Sequence, residues 1–149
     1  MTGQQAIVEA IRQMIEGDDY TPLDRLIANL TPEQAARKPA GSPYSIATIT
    51  WHTWFWINAW VIIIRGAGDP FQGHDPQVGW PEVAPEDWPA IRERLGEALL
   101  AAKELAAGQD IDRKTWQEQT VGSNLLQIAL HTAYHIGQIA LVRQELHIR

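Results

Sequence analysis

His131 and His135 stand four residues apart in the stretch from Asn124 to Arg143, NLLQIALHTAYHIGQIALVR. On a helix, side chains at that spacing share one face, with Cβ atoms about 5–6 Å apart. Two imidazoles so placed can converge on a metal ion, or they can be core histidines that each satisfy a ring nitrogen locally. Leu125, Ile128, Ile139 and Val142 recur at helical intervals around the pair, which puts both histidines on or beside a buried stripe. The spacing does not choose between the two readings. A third ligand has to be sought elsewhere in the chain.

The elements that would position such a site are read from capping signals and period. Gln4 to Glu16 carries Ile7, Val8, Ile11, Met14 and Ile15 as a helical stripe and stops at Gly17. Thr21-Pro22-Leu23-Asp24 restarts a helix, Thr31-Pro32-Glu33-Gln34 starts a short one, and Lys38 to Pro43 is loop. Ser45 caps the next segment, Ile46 to Arg65, which Gly66 closes. Its β-branched and aromatic residues would suit a strand, but its length is far beyond the usual strand and fits a helix of about 30 Å. A membrane span of the same length is disfavoured by His52, Asn58 and several threonines. Ala67 to Asp87 is irregular and rich in proline and glycine, the kind of long connection that serves a function or a crossover. Trp88, Ile91, Leu95, Leu99 and Ala102 mark a third amphipathic helix ending at Gly108. After a polar loop around Trp116, the last helix begins with Ser123 or Asn124 as its cap. The expected fold is all-α: one four-helix bundle spanning residues 1–149, roughly antiparallel, with a long irregular connection between its second and third main helices.

Of the other histidines, His147 lies in the terminal turn and His74 in the irregular connection, where a solvated side chain is expected. His52 remains. It lies about six residues into the second main helix, and His131 and His135 lie about seven and about eleven into the fourth. If consecutive helices alternate direction, the second and fourth run parallel and the three imidazoles reach similar heights. Three histidines with an open fourth position form a catalytic zinc arrangement. A di-iron bundle fits worse, because the residues three before each histidine are Ile49, Phe71, Ile128, Thr132 and Gln144, with no glutamate among them.

Composition narrows the chemistry. The chain has 149 residues and no cysteine, so it supplies no thiol nucleophile or disulfide. Twelve basic residues stand against eighteen acidic ones, with no basic run, which argues against tracking a nucleic-acid backbone. The N-terminus lacks a basic segment followed by an apolar one, so a cytoplasmic protein with no membrane association is expected. No carboxylate occurs from Pro43 to Arg65 or from Gly122 to Gln144, which removes a glutamate base on the liganding helices. What remains is an ion that lowers the pKa of a bound water or thiol, beside the polar neighbours Asn124, Gln127 and Gln138. Asp69, Asp75, Glu82 and Asp87 would reach such a site only if the long connection folds back.

His52 after SIATITW, in a tryptophan-flanked helix, together with LLQIALHTAYHIGQI in the last helix, resembles the DinB/YfiT-like superfamily of metal-binding four-helix bundles. The resemblance implies one divalent ion, zinc or nickel among the candidates, on His52, His131 and His135. It also implies a metal-dependent transferase that uses a low-molecular-weight thiol such as bacillithiol, mycothiol or glutathione against a small electrophile. Metal-assisted hydrolysis and a non-catalytic, stress-related metal-binding role stay open as alternatives. The chain departs from many relatives at Tyr134 and Ile136.

Two further expectations concern surfaces. His52 lies nearer the start of its helix, so the open position should face the end where the second and fourth helices begin, with Tyr44 and Trp116 as pocket walls. At about 100° per residue, Trp54, Ile57, Val61 and Ile64 fall opposite His52, and Ala129, Ala133, Gly137 and Ala140 lie away from His131. An apolar patch of that size implies a homodimer through the outward faces of these helices, unless the long connection, with Phe71 and Trp80, covers it.

Overall fold

The structure is a computed structural model that describes residues 1–71, 73–75 and 79–148; Gln72 and residues 76–78 of the long connection lie outside the described residues. Among the described residues there are six α-helices and no strand: α1 (Gly3–Glu16), α2 (Leu23–Ala28), α3 (Pro32–Ala36), α4 (Ile46–Arg65), α5 (Trp88–Gly108) and α6 (Val121–Glu145). Short 3-10 turns at Pro85–Asp87 and Trp116–Glu118 precede α5 and α6.

The helix starts are chemical. Thr2, Thr31 and Thr120 each accept from the backbone N–H three residues on, while the side chain at that third position, Gln5, Gln34 or Ser123, reaches back to the cap, and Ser45 accepts from Thr48 N–H to begin α4. The cap of α6 is therefore Thr120, not Ser123 or Asn124. At the far end of α4, Gly66 is left-handed, with φ 65°, and its N–H reaches the carbonyls of Ile62 and Ile63, ending the helix with a conformation that favours glycine.

The four long helices pack on one another, but they do not alternate in direction. Trp51 shares a cavity wall with Ile91, and Arg94 lies over Trp54 with its guanidinium 5.3 Å from the ring centroid, so α4 and α5 run the same way. Arg113, just before α6, donates to the carbonyl of Ile64 at the end of α4, while Arg143 donates to Leu26 O and Arg37 to Leu146 O at the other end. Helices α4 and α6 are thus antiparallel, which corrects the expectation that they are parallel. The cause is the connection after Gly66: it is long enough to return the chain along α4 and restart α5 beside α3, where the Trp88 indole N–H donates to Leu30 O. Helix α1 completes the packing, with Gln4 donating to Gln109 O at the end of α5 and Ile7 near Gly122 at the start of α6.

This arrangement buries the face of α4 expected to point outward. Trp54, Ile57, Val61 and Ile64 are all core residues of the single chain, and Ala129 is buried on α6. The second-helix patch that implied a dimer is therefore not a surface. The exposed apolar residues cluster instead on α6, at Leu126, Leu130, Tyr134 and Leu141. By length and composition alone α6 is apolar enough to span a membrane, yet its other face, through Leu125, Ile128, Ile136 and Ile139, is fully packed in the core.

Buried and exposed positions should respond differently to truncation. Ile57→Ala, at a fully buried position, should lower stability by about 2–5 kcal/mol, whereas Leu100→Ala, on the exposed side of α5, should stay within about 0.5 kcal/mol. Urea unfolding of the two variants measures this. Equal small losses would place the outer face of α4 in solvent after all.

Candidate metal centre

His52 enters from the second turn of α4, and His131 and His135 from the middle of α6. His52 stands about thirteen residues before the end of α4, and His131 and His135 about ten and fourteen after the start of α6, so the rings come level in the antiparallel pair as well. The Nε2 atoms of His131 and His52 are 3.2 Å apart, and those of His131 and His135 are 3.1 Å apart. Two nitrogens bound tetrahedrally at about 2.0–2.1 Å from one ion would be separated by about 3.3 Å. The three histidines are a group whose ligand atoms could hold a metal ion, and they fit a divalent one.

The outer nitrogens say how the protons are arranged. His52 Nδ1 faces the carbonyl of Gly79, which can only accept, so Nδ1 carries the proton. His135 Nδ1 lies 2.6 Å from Gln138 Oε1, and Gln138 in turn donates from Nε2 to the Tyr134 hydroxyl at 3.1 Å, so this Nδ1 is a donor too. In neutral rings both Nε2 atoms are then bare lone pairs, and both point at His131 Nε2. One proton on His131 cannot serve two linear acceptors well, and its Nδ1 is buried with no protein partner among the described residues. A cation at the convergence point would satisfy all three lone pairs at once.

Burial keeps the rings neutral. His52 and His135 are only 8% and 2% exposed. The protonation of His131 is pushed down to about 3, first by burial and then by the nearby His135 and His52. That of His135 is pushed down to about 4, mainly by burial, with the Gln138 hydrogen bond opposing it. His52 is lowered by burial against the opposing Gly79 bond. Neutral imidazole is the form that ligates.

The long connection folds back onto the site. Trp80 stacks on His52 with ring centroids 3.8 Å apart and planes 6° apart, and Tyr44 stacks on the other face of Trp80 at 4.2 Å. Tyr44 thus supports the site through Trp80. Trp116 does not meet it: it packs against Phe71 and lines a cavity with Ile62, Ile63 and Gly66, at the opposite end of α4. Because α4 and α6 are antiparallel, no end exists where both begin, and the expected entrance between Tyr44 and Trp116 is not formed. Asn124 is also held elsewhere, donating to Thr115 Oγ1 and Thr120 O. Gln138 is brought to the site, while Gln127 lies one turn before His131, half-buried. Of the acids on the connection, Glu82 pairs with Lys38, and Asp69 accepts from the N–H groups of Phe71 and Gly73.

Sequence reasoning missed Trp56, Trp60, Gly79 and Trp80. Trp60 packs edge-on to His131 at 5.2 Å, and Trp56 lies 6.5 Å from His52. Positions 52, 56 and 60 follow one helical face, so this aromatic row was readable. Gly79 and Trp80 had no such signal, since an aperiodic loop does not announce where it returns.

The family model described as DinB superfamily matches residues 19–139, a span that contains all three histidines. No curated protein matches the chain.

Because the folded-state values lie below the unfolded one near 6.5, the unfolded chain binds more protons between about pH 4 and 6.5, and stability must rise with pH in that window. Metal-free protein should therefore lose on the order of 5 °C of Tm between about pH 7 and pH 5, read by circular dichroism. A flat profile would contradict neutral burial. Separately, Gln138→Leu should weaken divalent-ion affinity by about 10–100-fold, measured by competition with a chromophoric chelator.

Proposed function

The chain belongs to the DinB superfamily, and from that premise we propose that it is a metal-dependent transferase using His52, His131 and His135 to hold one divalent ion, zinc or nickel, and a low-molecular-weight thiol as co-substrate. The observation that carries this reading is the convergence of three Nε2 atoms, two of them stripped of their protons by Gly79 and Gln138. A bound divalent ion would lower the pKa of a thiol or water at its open position. The protein's own part is to hold the ligand tautomers, keep the rings neutral, and shield them with Trp60 and Trp80. The Tyr134 hydroxyl, on an exposed side chain, is linked to the site through Gln138. In this reading α1, α4, α5 and α6 form a single four-helix bundle, and the protein works in the cytoplasm, where reduced thiols are maintained.

We also propose that the chain is a homodimer, joined through α6. Leu126, Leu130, Ala133, Gly137 and Leu141 are exposed along one face of that helix at spacings of three or four, with small residues that let a second helix approach. Light scattering of the wild type and of Leu130→Arg tests this: the wild type should run as a dimer and the variant as a folded monomer. A monomeric wild type would refute it.

Metal analysis of purified protein should give about one ion per chain, with that content lost in His52→Ala, His131→Ala and His135→Ala. Unchanged stoichiometry in all three variants would overturn the site. Thiol conjugation to chlorodinitrobenzene should fall at least about ten-fold on chelation and recover on adding the ion back. Conjugation that persists without metal would refute the transferase reading.

A further inference from the structure

We infer that the cavity at the Gly66 end of α4 binds a small aromatic carboxylate, at a site separate from the three histidines. Gly66 lies about 21 Å along the helix from His52. The cavity has a volume of about 410 Å³, within the usual range for a small-molecule site. Its aromatic part is a notch in which Trp116 stands edge-on to Phe71, with ring centroids 6.3 Å apart and planes 76° apart, and Ile62 and Ile63 line the same space. Trp116 is 50% exposed, so much of the indole is open to a ligand. The loop that presents it is strained. Gln117 and Glu118, the next two residues, are both left-handed, with φ 53° and 62°, a region that side-chain-bearing residues rarely adopt. An isolated bridge between Lys114 and Thr120 and a bond from Thr115 N–H to Gln119 O close the loop and keep it so. Strain that buried the indole would be ordinary; here it holds a half-exposed indole against a cavity.

The charge beside the notch is positive. Arg113 and Lys114 line the cavity, and among the described residues neither pairs with a carboxylate. Arg113 donates from Nη2 to Ile64 O and Gln109 Oε1, and Lys114 from Nζ to Glu118 O, so both bond only neutral acceptors and keep further N–H groups for a ligand. Asp69, which also lines the cavity, accepts from the N–H groups of Phe71 and Gly73 and is held by its own loop. The carbonyls at the end of α4, which would repel an anion, are covered: Gly66 and Ala67 N–H groups reach those of Ile62 and Ile63, and Arg113 takes that of Ile64. An aromatic carboxylate answers both features, its ring in the notch and its oxygens on the two cations. A neutral ring would leave the cations unanswered, an aliphatic acid would forfeit the ring contacts, and an amine would be repelled.

Titration of the protein with three matched probes, 2-naphthoate, 2-naphthamide and decahydro-2-naphthoate, tests the inference. The readout is the indole N–H resonance of Trp116, identified by its loss in Trp116→Leu. It should move with 2-naphthoate at concentrations at least about ten-fold lower than with either of the other two, before and after chelation of metal. Lys114→Gln, at an exposed position, should fold normally and weaken 2-naphthoate at least about three-fold while leaving 2-naphthamide unchanged. No movement of this resonance up to about 10 mM acid, or equal movement by acid and amide, would overturn the inference. Shifts confined to Trp60 and Trp80 would also overturn it, by placing the acid at the histidines instead.

Discussion

Three bare or nearly bare imidazole nitrogens within 4.8 Å of one another, with His131 Nε2 at 3.2 and 3.1 Å from the other two, are the constraint around which this fold is arranged. Lone pairs at that distance repel unless a proton or a cation lies between them, and burial prevents the rings from acquiring charge to relieve it. The protein tolerates the arrangement because each ring is held from behind. Gly79 and Gln138 fix two tautomers, Trp80 clamps His52 face to face, and Trp60 backs His131. A cluster preorganised in this way could take up an ion without first reordering its side chains.

The scaffold supplies that rigidity at modest expense in polar burial. Thr50 and Thr53 return their hydroxyls to the carbonyls of Ile46 and Ile49 within α4, so a helix buried on nearly every side contains few unmet donors. Ile57 and Ile64 on α4, and Leu125, Ile128 and Ile139 on α6, are wholly inaccessible and hold these two helices in the close-packed core. Charge is kept at the periphery, where Arg12 joins Glu9, Glu16 and Asp18 on exposed parts of α1 and its end. Such pairs contribute little to stability but leave the centre free of stray fields.

The connection after α4 serves both scaffold and site. In carrying the chain back to the α3 end of α4, it lays Phe71 against Phe55 and Trp56 and brings Gly79 and Trp80 over His52. One loop thereby sets the direction of α5, buries part of α4 and completes the surroundings of a ligand. That economy explains why a long irregular segment persists in a small helical protein.

Local chemistry was enough to read much of this from the residues: the capping threonines and Ser45, the left-handed Gly66, the helical stripes, and the one-turn spacing that makes His131 and His135 neighbours are all properties of short segments. The convergence with His52 was also legible, but for an incomplete reason. His52 and the pair on α6 lie at depths that come roughly level whether the two helices run parallel or antiparallel, so the level of the site could be read while the helix direction could not. Direction depends on where an aperiodic connection leads, and no period or propensity encodes that. Consequently the entrance between Tyr44 and Trp116, the placing of Trp116 and Asn124 beside the histidines, and the outward face of α4 were misread together, while Tyr44 does reach the site through Trp80. The amino-acid sequence by itself determined the helices and the donors that could converge. Only the tertiary structure decided which faces meet, because that outcome rests on contacts between residues far apart in the chain, such as Gly79 with His52 and Arg113 with Ile64.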